Sequence, residues 1–319
     1  MPWKQVQKTN FRSMQQLADF LQFSERNRKS LTTRKDFPVN VPLGLAKKMD
    51  KNTLEYPLFK QYVTTSTELI IEKGYLKDPV EDKQFCKTPK LLQKYPGRAL
   101  LICTQACAMN CRFCFRQNFP YASLQSKFDR EIAYIAKDST IKEVILSGGD
   151  PLSLPDRYLG DLCHRLAAIP HLQIIRFHTR FLIGIPERIT DALLLLLPKN
   201  IQIYFAIHVN HPLELDADVI KACKALQNQG IQLLSQTVLL KGVNDNVIVL
   251  EELFFGLARI GVVPYYLHQL DPIIGGSHFF VERDKGISLV KELQKRLPGY
   301  AVPKYVQEIP RQFHKIRIF

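Results

Sequence analysis

The chain has 319 residues, 46% hydrophobic and 23% charged, with a formal net charge of +14. That is globular composition with ample core for one large α/β domain or two smaller ones. No apolar run approaches the ~18 residues of a membrane span, and Met1-Pro2-Trp3-Lys4-Gln5 has no apolar stretch behind its charge, so neither a membrane nor a secretory signal is expected and the predicted location is cytoplasmic.

Residues 1–95 read as a polar, helical region. Ser13 predicts an N-cap for a helix over 14–23, with Leu17, Phe20 and Leu21 on one face. Pro57 suits the first turn of another helix. Pro38, Pro42, Pro79 and Pro89 divide the segment into short pieces. From residue 98 the texture changes. Six short apolar runs recur, at 99–103, 143–146, 173–178, 202–209, 232–240 and 262–267. Segments long enough for helices lie between them, at 129–137, 158–168, 217–229 and 249–260. The alternation predicts an α/β fold with a parallel sheet and crossover helices, either an incomplete barrel or a doubly wound sheet. Function in such folds sits at the carboxyl ends of the strands.

Cys107-Ala108-Met109-Asn110-Cys111-Arg112-Phe113-Cys114 follows the first run closely. Three thiolates on one loop suit a four-iron, four-sulfur (4Fe-4S) cluster with one iron left without a protein ligand. That iron can chelate the amino and carboxylate groups of S-adenosylmethionine, and an electron from the cluster then breaks a carbon–sulfur bond to give a 5′-deoxyadenosyl radical. The competing readings are redox thiols and a zinc site, which normally needs four ligands, often as two close pairs. Cys86, Cys103, Cys163 and Cys223 are scattered and read as buried or inert thiols. The second run ends in Ser147-Gly148-Gly149-Asp150-Pro151-Leu152, where glycines permit either close approach of a ligand or a tight strand-to-helix turn. The positive net charge fits a solvated basic surface plus arginines that hold anionic cofactors. No recurrent aromatic-and-basic pattern marks a nucleic-acid module, and nucleic acid is not expected as a partner.

The cysteine triplet resembles that of radical S-adenosylmethionine enzymes. The resemblance implies a partial (βα)6 TIM-like barrel and makes Ser147, Gly148, Gly149 and Asp150 the motif that pairs with the amino group of S-adenosylmethionine. Further stretches narrow it: Lys94-Tyr95-Pro96-Gly97-Arg98, Cys114-Phe115-Arg116, His208-Val209-Asn210-His211-Pro212, Gln236-Thr237-Val238-Leu239-Leu240, Gly242-Val243-Asn244-Asp245, Pro264-Tyr265-Tyr266-Leu267-His268 and Gly299-Tyr300-Ala301-Val302-Pro303. Together they are similar to lysine 2,3-aminomutases. Phe115-Arg116-Gln117-Asn118-Phe119-Pro120-Tyr121 and the short C-terminal segment look most like the branch that makes (R)-β-lysine for modification of translation elongation factor P.

The family implies a second cofactor, pyridoxal 5′-phosphate (PLP), with L-lysine as substrate. Carried over residue by residue, Lys94, Tyr95 and Arg98 match the phosphate-binding positions, although a basic surface turn is the plain alternative. Arg116 matches the arginine for the substrate carboxylate, and its alternative is a salt bridge to a neighbouring carboxylate. Asp271 and Glu308 match the pair that holds the substrate ε-ammonium, the second of which is usually aspartate. Asp271 is otherwise a helix cap. The spacing from Glu308 puts Lys315 at the Schiff-base position, but Pro310, Arg311, Gln312 and Phe313 replace the glycines of the family's turn. A frayed basic tail is the other reading, and Lys304 is the fallback lysine. His208, Asn210 and Gln236 fall near the ends of the fourth and fifth runs and are expected as pocket or S-adenosylmethionine contacts, although a lone histidine there is more often a satisfied core residue. The expected division is a helical region packing on the barrel (1–95), the barrel (96–272) and a segment closing the PLP and substrate pocket (273–319). Implied partners are a reductase or flavodoxin-type electron donor, with a functional link to elongation factor P and its ligase; the oligomeric state stays open. Rival functions are the same chemistry on another amino acid, such as glutamate, and a non-catalytic iron–sulfur protein of the translation machinery.

Overall fold

The computed structural model describes residues 2–120 and 127–319, so Met1 and Tyr121 lie outside the described residues. Five short helices open the chain: α1 (Trp3–Lys8), α2 (Met14–Phe20), α3 (Glu25–Lys29), α4 (Leu43–Lys47) and α5 (Pro57–Tyr62). Ser13 caps α2 by accepting from the Gln16 amide, as its sequence predicts. The helix stops at Phe20, three residues before the expected 23, because Gln22 turns left-handed at φ 56°. The Phe23 amide then reaches back to the Ala18 carbonyl at 3.0 Å.

Among the described residues ten strands form one sheet in sequence order. They are β1 (Cys86–Thr88), β2 (Leu91–Tyr95), β3 (Arg98–Thr104), β4 (Glu143–Gly148), β5 (Ile174–Thr179), β6 (Gln202–His208), β7 (Gln232–Val238), β8 (Val263–His268), β9 (Lys304–Gln307) and β10 (Ile316–Arg317). Pairing is parallel from β3 through β9 and antiparallel at both ends. Crossovers carry α6 (Asp129–Lys137), α7 (Asp156–Ala167), α8 (Phe181–Gly184), α9 (Asp191–Leu196), α10 (Ala217–Gln227), α11 (Val247–Arg259) and α12 (Arg283–Arg296). Each parallel strand lies beside its predecessor in sequence, as in a barrel, and the ends do not pair, so the barrel is partial. All six expected runs are strands.

Two expectations change. β1 and β2 fall inside the segment expected to be helical, where Leu91 and Leu92 are buried by pairing with β3. β9 is a seventh parallel strand outside the expected six units. Its four residues are too few to show a periodicity.

The crossover helices bury one apolar face each, as α7 does with Leu159, Leu162, Cys163 and Leu166, and α11 with Leu250, Leu253, Phe254 and Leu257. Between strands, Phe177 and Phe205 stack at 4.4 Å. Cys103, Cys163 and Cys223 are free and buried, while Cys86 is exposed. Among the described residues no helix is long and apolar enough to cross a membrane.

The C-terminal strands are held from outside by α12. A Cβ built at Gly286 would lie 2.5 Å from Cζ of the buried Tyr305 on β9. Gly286→Ala should therefore destabilise the fold by about 1–3 kcal/mol through overpacking. Urea denaturation followed by circular dichroism checks this, and unchanged stability would contradict the packing.

Candidate active site

The cysteine loop leaves β3 and is fastened on two sides. Toward the sheet, the Gly149 amide donates to the Thr104 carbonyl at 2.6 Å and the Asp150 amide to the Ala106 carbonyl at 2.8 Å. Toward the N-terminal helices, Asn10 Nδ2 donates to the Ala108 carbonyl at 2.7 Å. The fully buried Arg112 donates through Nε to Glu68 Oε1 at 2.8 Å. The glycines of the β4 turn serve this contact. Gly148 has φ +110°, and its added Cβ would lie 2.7 Å from the Thr104 oxygen. One on Gly149 would lie 2.7 Å from the Gln105 carbonyl carbon. Here the close approach that requires glycine is made by the cysteine loop's own backbone.

Cys107, Cys111 and Cys114 line a cavity of about 410 Å³ at the carboxyl ends of the strands. Burial pushes all three thiols up, Cys114 to about 11, with Arg180 opposing the shift at Cys111. Soft donors held protonated in a dry pocket become good ligands when iron supplies the compensating charge. Among the described residues no group of three His, Cys, Asp or Glu closes on a single metal ion. A cluster, in which each cysteine takes a separate iron, fits this donor set.

A chain of alternating charge runs along the same cavity. Arg116 donates through Nη1 to Ser147 Oγ at 3.1 Å and through Nε to Asp82 Oδ2 at 2.8 Å. Lys94 Nζ sits 2.7 Å from Asp82 Oδ1 and 3.7 Å from Glu308 Oε1. The Tyr95 hydroxyl donates to the Glu308 carboxylate at 2.7 Å, and Lys315 Nζ donates to Glu308 Oε2 at 2.5 Å. Against burial, which pushes both carboxyls up, these cations hold Asp82 and Glu308 below the usual carboxylate range. Arg98 stacks over the Tyr95 ring at 5.0 Å and makes no ion pair among the described residues. Asp271 faces the same space, and burial pushes its carboxyl up to about 7.

The predicted site residues converge, with one exception. Lys94, Tyr95, Arg98, Arg116, Ser147, Gly148, Gly149, Asp150, His208, Gln236, Asp271, Glu308 and Lys315 line the cavity with the cysteines. Asn210 does not. It is fully buried, donates to Gln61 Oε1 at 2.9 Å, and accepts from the Val238 amide at 2.9 Å, so it ties the end of β6 to β7. The Asp150 carboxylate is likewise spent on the scaffold: it accepts from Thr179 Oγ1 at 2.8 Å and the Arg180 amide at 2.7 Å.

Sequence reasoning missed Asp82, His178, Arg180 and His268. The last three end or follow β5 and β8, where the strand-end rule points. Burial keeps both histidines neutral, well below their ordinary range. Asp82, in a short 3-10 turn over Asp82–Phe85, carries no sequence signal.

Known proteins agree with this geometry. Residues 101–253 match the radical SAM superfamily, a class that works through a 4Fe-4S cluster and S-adenosylmethionine. The L-lysine 2,3-aminomutase of Haemophilus influenzae is 40% identical over 290 residues, which span 90% of this chain and 86% of that one. That of Escherichia coli is 40% identical over 282 residues, 87% and 82% of the two chains. For Clostridium subterminale the match is 37% over 266 residues, 82% of this chain and 64% of that one. The chain belongs to the L-lysine 2,3-aminomutase family and is an isomerase of the radical class.

The raised Asp271 carboxyl has a consequence for stability. In the unfolded chain it ionises near 3.8, and in the fold near 7. Its contribution is therefore full below pH 3.8 and is lost as pH rises through about 7. Asp271→Asn should be more stable than the parent at pH 8 and gain nothing at pH 4, by urea denaturation at the two pH values. A gain of equal size at both would contradict the assignment.

Proposed function

We propose that the protein is a PLP-dependent L-lysine 2,3-aminomutase that makes (R)-β-lysine for modification of translation elongation factor P. The observation that carries the reading is Lys315: a lysine from the C-terminal tail enters the cysteine-lined cavity beside the carboxylates of Glu308 and Asp271, and Arg98, which makes no ion pair among the described residues, lines the same cavity. The cluster and S-adenosylmethionine supply a radical that removes hydrogen, and PLP supplies the π-system across which nitrogen migrates.

This chain's residues bind, orient and exclude water. The tail is ordered because β10 pairs with β9, Ile316 opposite Gln307 and Arg317 opposite Val306. That supports an anchored lysine over a frayed tail. The fallback Lys304 is exposed and absent from the cavity wall. Lys315 must leave Glu308 to reach an aldehyde. Glu308 then becomes available to a second ammonium.

The phosphate role narrows to Arg98. Lys94 and Tyr95, expected to share it, are engaged by Asp82 and Glu308, whereas Arg98 keeps its guanidinium fork for an anion. Arg116 lines the same cavity and takes the substrate carboxylate, braced by the salt bridge to Asp82. Asp271 and Glu308 suit an ε-ammonium, which needs an anionic partner in a dry pocket. An incoming ammonium lowers the Asp271 carboxyl back toward its ordinary range, so lysine binding below pH 7 releases a proton. Two carboxylates disfavour glutamate as the substrate, and the placement of Lys315 disfavours a non-catalytic iron–sulfur role. His208, neutral because burial pushes it down to about 3, and Gln236 suit contacts to S-adenosylmethionine. A cytoplasmic setting, a reductase or flavodoxin-type electron donor and a separate ligase for elongation factor P complete the proposal.

Anaerobically reconstituted protein should convert L-lysine, and not L-glutamate, to the β-isomer, detected by mass spectrometry. After loading with PLP, Lys315→Ala should lack the visible absorbance that borohydride discharges in the parent. Retention of that band would move the linkage to another lysine.

A further inference from the structure

Arg180 follows β5 directly, and the reaction described above leaves it without a part. Its backbone amide is fixed by Asp150, and its side chain, in a residue 7% exposed, turns back to the cysteine loop. Nη1 donates to Cys111 Sγ at 2.9 Å. Nη2 donates to Gln61 Oε1 at 2.6 Å and to Glu214 Oε1 at 2.5 Å. The guanidinium carbon lies 5.1 Å from the Phe113 ring centre and 4.9 Å from that of Tyr62. Glu214 is fully buried and fixed in turn, accepting from the Tyr62 hydroxyl at 2.8 Å and the Asn210 amide at 2.6 Å. The cation is thus held against one cysteine sulfur, with a buried counter-charge on its far side.

We propose that Arg180 sets the reduction potential of the cluster through its hydrogen bond to the Cys111 sulfur, and that Glu214 moderates it. One-electron reduction adds a negative charge to the cluster. A cation donating an N–H to a ligating sulfur stabilises that charge and raises the potential. In a buried site the interaction is weakly screened. The Glu214 carboxylate acts in the opposite sense, because it faces the same guanidinium. Arg180 is a positioning residue in this scheme and touches no substrate. The inference rests on the cluster assignment and on nothing in the lysine chemistry.

The test is a dye-mediated redox titration of the anaerobically reconstituted full chain, read by electron paramagnetic resonance of the reduced cluster. Arg180→Gln should make the reduction equilibrium constant about tenfold less favourable, ~59 mV more negative. Glu214→Gln should shift it the other way, and Arg180→Lys should restore part of the loss. Shifts of one sign in both glutamine variants, or none in either with the iron–sulfur absorbance intact, would overturn the proposal. If Arg180→Gln holds no cluster, Glu214→Gln decides alone: a positive shift supports the proposal, and a zero or negative shift defeats it. A wild-type protein without a reducible cluster would overturn the cluster assignment and this inference with it.

Discussion

The site depends on one backbone contact, the docking of the loop after β3 onto the turn after β4. Two short amide–carbonyl bonds, Gly149 to Thr104 and Asp150 to Ala106, hold the loop that presents the three thiols. No side chain fits between these backbones, so the turn needs two glycines. Adjacent parallel strands supply both partners, β3 the loop and β4 the turn. The sheet's register therefore fixes where the sulfurs point. Asp150 extends the constraint to β5, since its carboxylate holds Thr179 and Arg180.

A second constraint is electrostatic. Several charged groups share one cavity, and a buried charge is tolerated when paired. Asp82 between Arg116 and Lys94, and Glu308 between Lys94 and Lys315, meet that condition across segments far apart in sequence. Burial pushes the Asp271 carboxyl up, and among the described residues no hydrogen bond or ion pair to it offsets the cost. The C-terminal strands matter for the same reason. Without β9 and β10 neither Glu308 nor Lys315 would reach the cavity.

What the sequence reveals is local. The six parallel strands follow from apolar runs, the α2 cap from Ser13, and the convergence of the three cysteines on one cavity from their spacing within a single loop. Lys315 is legible only through resemblance and its spacing from Glu308. What it hides is set by tertiary contact. The Asp82–Arg116 pair spans 34 positions and has no pattern. Arg180 reaches Cys111 across 69. Asn210 looks like a pocket residue because it follows a strand, yet its amide is consumed by Gln61 from the N-terminal helices. Gly148 and Gly149 suggest a ligand's approach, and the neighbour that comes close is backbone. β9 is too short to announce itself.

The Gly149 turn holds three cysteines on one cavity, in position for a cluster. The direct measurement is iron and acid-labile sulfide per chain after anaerobic reconstitution of the parent and of Gly149→Ala, with folding of both verified by circular dichroism. The account predicts about four of each in the parent and a marked loss in the folded variant, whose added methyl displaces the loop. Equal content in the two, or a parent that takes up no iron, would contradict it.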